Sequence, residues 1–157
     1  MRATVVLLAV VLAAGCSSSA SPAFTVKSAS VDARYFCPGG SSDAAYDLHA
    51  TVVVHNGTAK TVTVDKVTAQ MTVASVKGVW LEKVGDRYDA GKAAVTPTTV
   101  APGRDAELAV TIPSACTSAK YGTGIPSSAE YDVTIHLATS AGSFTVTAAN
   151  QHEIVGD

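Results

Sequence analysis

From residue 46 to residue 54 every second side chain is apolar. Tyr46, Leu48, Ala50, Val52 and Val54 share one face, and Asp47, His49, Thr51 and His55 lie on the other. Alternation with a period of two predicts a strand buried on one face. The pattern recurs at Ala106, Leu108, Val110 and Ile112, and again at Tyr131, Val133, Ile135 and Leu137. Residues 24–31 and 143–148, rich in Val, Thr and Ala, read as further strands, and no long stretch carries helical spacing. After Lys60 the alternation runs on to Val73, but its apolar parity changes between Val64 and Val67, which predicts a bulge or bend.

Turn residues punctuate this pattern. Asn56-Gly57 predicts a tight hairpin turn, since both residues tolerate positive φ. Pro102-Gly103 predicts another turn, and residues 36–43, 85–92 and 121–126 read as loops, with a short strand at 78–84. The tally, about seven or eight strands at regular spacing, predicts an all-β antiparallel sandwich. Its folded part covers residues 24–150, and residues 151–157 are expected to be a C-terminal tail.

The first residues follow a different rule. Met1 and Arg2 precede an uncharged apolar run over residues 4–13. It is about half the roughly 20 residues that a membrane-spanning helix needs, so it reads as a secretory signal peptide. Ala13, Ala14 and Gly15 lead directly into Cys16, and this junction resembles the lipobox of bacterial lipoproteins, with Ala13 where that family favours leucine. The resemblance implies removal of residues 1–15, diacylglyceryl modification of the Cys16 thiol, and a membrane contact made through lipid outside the cytoplasm. Residues 17–23, small and polar, suit a flexible tether, so that 16–23 form a lipidated linker.

About 140 residues remain, enough for one domain with a real core. Charged residues make up only 15% of the chain and the net charge is -2, so no electrostatic field selects nucleic acid. With Cys16 assigned to the anchor, Cys37 and Cys116 are left in a chain bound for an oxidising compartment, and a disulfide between them is expected.

The strand order looks like that of immunoglobulin-like domains, with residues 24–31 as strand A, 46–54 as B, the region after Lys60 as C, 105–112 as E, 131–138 as F and 143–148 as G. In that family a tyrosine near the start of strand F closes a corner two residues before a cysteine. Tyr131 matches it, and Val133 stands where the cysteine would be. The resemblance also implies that the A–B and E–F loops share one end of the sandwich, which lets Cys37 and Cys116 meet. Strand A would then start at the opposite end, leaving the disulfide facing away from the membrane.

The same residues bear on catalysis and metal binding. His49, His55, His136 and His152 lack the H-x-H pair and dense clustering of a copper-zinc superoxide dismutase, and Met71 is the only methionine outside the leader. No G-x-S-x-G elbow occurs, and 121–126 has neither the third glycine nor the following helix of a phosphate-binding loop. Asp86 and Asp89 are too few ligands for calcium and read as turn residues. No cofactor and no enzymatic activity are expected. The chain therefore reads as a lipid-anchored envelope accessory acting by protein contact. A small-ligand or carbohydrate module is the second reading, with Trp80 and Tyr88, together with Tyr121, as its aromatic candidates.

Overall fold

The computed structural model describes residues 23–38, 44–116 and 127–156. The signal segment, Cys16, the tether up to Ser21 and Pro22, Tyr121 and the 121–126 turn lie outside the described residues. Every described element is a strand, and together they form one curled sheet that folds into an immunoglobulin-like sandwich.

One layer consists of β1 (Phe24–Val31), β3 (Ala44–Asn56) and β7 (Arg104–Cys116), all antiparallel. The pairing of β3 with β7 runs unbroken from Ala44↔Cys116 to Asn56↔Arg104, because the long alternation in each segment gives a single register that buries both apolar faces. The opposite layer is built on β4 (Val62–Lys77) and β8 (Ser127–Thr139). The far edge of β8 is shared by β9 (Gly142–Thr147), beside Thr134–Thr139, and β10 (His152–Gly156), beside Ser127–Tyr131. The short β2 (Arg34–Phe36) runs parallel to β10.

One strand stitches the layers together. The first part of β5 (Arg87–Thr96) pairs with β4, whereas its last residues, Ala94–Thr96, pair with β7. A further short strand, β6 (Thr99–Val100), pairs with the start of β4. The core between the layers contains Leu48, Val52, Val54, Leu108, Val110 and Ile112 facing Val67, Met71, Val133, Ile135 and Leu137, all at or near zero exposure. Each such side chain contributes about 1.5–3 kcal/mol by leaving water. Val133 thus fills with hydrocarbon the place where the family carries a cysteine.

Several expectations change. The bulge between Val64 and Val67 is present as a register shift between Val64 and Lys66. Asn56-Gly57 is not a hairpin turn, because β3 and β4 belong to different layers. Asn56 is instead buried, its Nδ2 donating to the carbonyls of Lys60 and Val100 and its Oδ1 accepting from Thr58. Gly57 donates its N–H to the Ala23 carbonyl at 3.0 Å, and a Cβ at that position would sit 2.8 Å from the same oxygen. The glycine is needed for close passage of the entering chain.

Residues 78–84 form no strand and 87–96 form β5, the reverse of the sequence expectation. Seven of the ten residues of β5, Arg87–Asp89, Gly91, Lys92, Ala94 and Thr96, face solvent, and the strand bulges at Gly91, where φ is +71°. Both features erase its alternation. The supposed tail, 151–157, supplies β10, and Phe36, expected in a loop, ends β2.

Candidate functional site

The change of partners along β5 shapes the candidate site. Because β5 joins β7 only at Ala94–Thr96, the last residues of β7 diverge from it toward the disulfide end. A cleft of about 150 Å³ opens there between the layers, lined by Met71, Glu82, Tyr88, Ser114, Ala115 and Tyr131.

The connection between β4 and β5 is fastened over this cleft. Val73 N–H donates to the Asp86 carbonyl at 2.9 Å and Gly85 N–H to the Val73 carbonyl at 2.8 Å. Asp86 Oδ2 accepts from the Lys83 N–H at 2.8 Å, and Gly85 takes φ +95° to complete the turn. Asp86 is therefore a turn residue, as the sequence suggests, while Asp89 accepts from Gln70 Nε2. Trp80 is half-buried against the core, with its indole N–H donating to the Tyr131 hydroxyl at 2.9 Å. Burial pushes Tyr131 well above the ordinary phenol range. The Trp80 bond opposes that rise, and the neighbouring Glu82 charge adds to it.

Trp80 and Tyr88 do come to one region, but in different roles. Tyr88 lies on β5, 45% exposed, and lines the cleft; Trp80 braces the wall from behind. Tyr131, matched to the corner tyrosine, is engaged by Trp80, four residues inside β8. The residue that the sequence reading missed is Glu82. Its Oε2 is, among the described residues, the buried side-chain polar atom without a hydrogen-bond partner. Its only signal in sequence was a carboxylate two positions after the single tryptophan, beside Lys83 in a largely apolar stretch.

A second polar cluster lies nearby in the core. Tyr46 stacks on Tyr35 with ring centroids 3.9 Å apart, and its hydroxyl is 2.9 Å from His152 Nε2. Burial is the main reason Tyr46 is pushed up to about 12, with Ser114 pulling the other way. The remaining histidines are spread over the surface. His49 pairs with Asp32, His55 with Asp105, and His136 with Thr145. Lys27 and His55 together hold the Asp105 carboxyl below its usual range. Among the described residues no three His, Cys, Asp or Glu side chains are grouped to hold a metal ion.

Cys37 and Cys116 form a disulfide with their Cα atoms 5.8 Å apart, at the end of the sandwich opposite Phe24. The register Phe24↔Asn56↔Arg104 marks the entry end and Ala44↔Cys116 the other. At ~3.3 Å per residue the length of β3 separates these ends by about 40 Å.

No protein-family model matches the chain. No curated protein matches it either. Among solved structures, a structural-genomics target named SoR45 aligns over 84% of this chain and 86% of its own, at 14% identity and TM-score 0.43. AggA, the major subunit of aggregative adherence fimbriae type I from Escherichia coli, aligns over 85% and 95%, at 9% identity and TM-score 0.37. The PapD-like domain 7 of human CEP192 aligns over 84% and 85%, at 12% identity and TM-score 0.28. Among the described residues no helix is long and apolar enough to cross a membrane.

Proposed function

We propose that the chain is a lipid-anchored, extracytoplasmic sandwich that works without chemistry of its own, by contact with another protein of the cell envelope. The observation that carries this reading is the uneven distribution of exposed apolar side chains. Among the described residues the large exposed hydrophobics are Phe36, Val79, Leu81, Val84 and Tyr88, with exposures of 44–65%. Phe36 and the three from the β4–β5 connection stand at the disulfide end, and Tyr88 lines the cleft beside them. Apolar side chains gathered at one end of a soluble domain mark a contact surface.

The lipid anchor fits the same geometry. The tether 17–23 spans at most about 25 Å when fully extended, so an anchor at Cys16 keeps the entry end near the bilayer and presents the apolar end outward. Two measurements test the proposal. Mass spectrometry of the membrane-extracted protein is expected to find a diacylglyceryl group on an N-terminal Cys16, and an unmodified N-terminus overturns the anchor. A photo-crosslinker at Leu81 is expected to capture one defined protein in native membranes, with Val84→Asp abolishing capture and a crosslinker at Lys60 giving none. Equal capture from both ends overturns the contact surface.

A further inference from the structure

An open strand edge is a row of unpaired N–H and C=O groups, and soluble proteins guard such edges with charges, proline, bulges or brevity. Among the described strands most open edges carry such a guard. Strand β1 bulges at Lys27, and its far end is closed by Ala149 and Asn150, which bond to Ala29 and Val31. Strand β2 is short and begins with a charge, Arg34. Strand β5 bears Arg87, Asp89 and Lys92 around its bulge, and β7 carries Asp105, Glu107 and Pro113 on either side of its brief pairing with β5. Beyond the end of β1, β3 presents Asp47. Strand β9 has none of these devices: GSFTVT holds no charge and no proline, and its register with β8 is unbroken.

The pairing also shows which backbone groups of β9 are open. The Ala148 N–H donates to the Val133 carbonyl at 2.9 Å, so Val133 turns its polar groups toward the β9 side of β8. Bonding alternates along an antiparallel ladder, so Ile135↔Val146 and Leu137↔Phe144 exchange bonds as well. Ser143, Thr145 and Thr147 therefore point their N–H and C=O groups away from β8, and their side chains are exposed. Phe144 and Val146 face inward but are only half-buried, with the Phe144 ring 5.1 Å from that of Phe24.

We infer that β9 is a homodimer edge, on which the β9 of a second copy adds antiparallel about a twofold axis at Thr145. The strand is its own complement in that register. Thr145 faces its twin and Ser143 faces the other copy's Thr147, which gives about six hydrogen bonds between groups that are otherwise open. On the inner face Phe144 meets Val146 in both directions, an aromatic and β-branched pairing that covers their exposed parts. No charge on either strand opposes the other. Strand β9 lies in the entry half of the domain, where the Ser140 N–H of its turn donates to the Thr63 carbonyl. Antiparallel pairing thus leaves the two entry ends about 20 Å apart and both disulfide ends free at the extremities. The seam is short, so the dimer is weak, with a dissociation constant at or above about 1 μM. The dimer edge is separate from the contact surface at the disulfide end and does not depend on it.

The test uses the protein as isolated from membranes in detergent. Sedimentation equilibrium is expected to show monomer giving way to dimer as the concentration rises. Thr145→Cys places its Cα about 5.5 Å from that of its twin and is expected to form a disulfide-linked dimer on mild oxidation. Ser143→Cys alone is expected not to link, since its twin is about 13 Å away, whereas Ser143→Cys mixed with Thr147→Cys is expected to do so. Thr51→Cys, exposed on β3 in the opposite layer, is the control and is expected to stay unlinked. Thr145→Pro removes an open N–H without touching the bonds to β8, and is expected to weaken dimerisation by about five- to a hundredfold. Thr145→Lys sets like charges opposite one another and is expected to weaken it too, with an unchanged urea midpoint. A protein monomeric up to about 1 mM, or one whose Thr145→Cys form does not link, overturns the inference. So does a dimer that links equally through Thr51→Cys or through Ser143→Cys alone. A Thr145→Cys link to a different protein assigns the edge to a partner's strand and overturns the second copy.

Discussion

A carbonyl oxygen accepts and cannot donate, so the 2.7 Å contact between His152 Nδ1 and the Asp32 carbonyl places the imidazole proton on Nδ1. Nε2 then carries a lone pair, and the Tyr46 hydroxyl 2.9 Å away donates to it. Protonation of Nε2 would remove that acceptor inside the core. Burial accordingly lowers the pKa of His152 from its ordinary value, against smaller opposing effects from the Asp32 carbonyl and its charge. The sign follows from linkage. Below about pH 6.5 the unfolded chain binds a proton at this histidine that the folded chain refuses, so stability is complete above that pH and falls as the medium is acidified. The slope approaches about 1.4 kcal/mol per pH unit where only the unfolded chain is protonated. Urea midpoints measured from about pH 7.5 down to about pH 5 are expected to fall, and His152→Gln is expected to flatten that part of the profile. An identical profile in the variant would remove His152 as the cause. None of this was visible in the sequence, where His152 stood in a presumed tail.

At the scale of elements, strands were legible where one face is apolar and the other polar, as in β3, β7 and β8. They were illegible where tertiary contacts do the specifying. Strand β10 buries His152, Ile154 and Gly156, a set with one aliphatic side chain, so its period of two carries no hydrophobic signal. Residues 78–84 are mostly apolar without being a strand, because Trp80 is used as a brace while Val79, Leu81 and Val84 face outward. Glu82 was missed for the same reason, since its burial depends on where that connection is pinned. The break between β9 and β10 shows a related device. Asn150 Oδ1 accepts from the Val31 N–H at 3.1 Å, and its Nδ2 donates to the Val31 carbonyl at 2.8 Å. One side-chain amide thus satisfies both backbone groups at the end of edge strand β1, and the Ala149 N–H adds a bond to the Ala29 carbonyl. The clasp joins the two layers on the side that β5 and β6 do not reach. Asn150→Ala leaves both groups of Val31 unpaired and is expected to cost about 1–3 kcal/mol. Hydrogen exchange should show the loss as faster exchange at Val31, with β3 and β7 unaffected; unchanged protection at Val31 would discount the clasp.

The molecule as a whole is held at one end by its entering chain and at the other by a covalent bond between layers. Cys37 follows β2, which lies on the layer of β10, and its N–H donates to the Val155 carbonyl; Cys116 ends β7 in the opposite layer. The disulfide therefore clamps the layers at the end where the cleft opens and where β5 no longer bridges them. Its two cysteines are 79 residues apart, a span that includes β3 to β7 and leaves β8 to β10 outside. Closing a loop of that length removes disorder from the unfolded chain worth about 4–5 kcal/mol on the chain-entropy model. A domain of this size has a total stability of about 5–15 kcal/mol, so the bridge is a large part of it. The double variant Cys37→Ser, Cys116→Ser is expected to unfold at much lower urea, and to do so with a steeper denaturant dependence because its unfolded state is less compact. Adding reductant should shift the unaltered protein toward the variant and leave the variant where it is. A midpoint that does not move when both cysteines are replaced would mean that the hydrophobic core and the Asn150 clasp hold the layers together without the bridge.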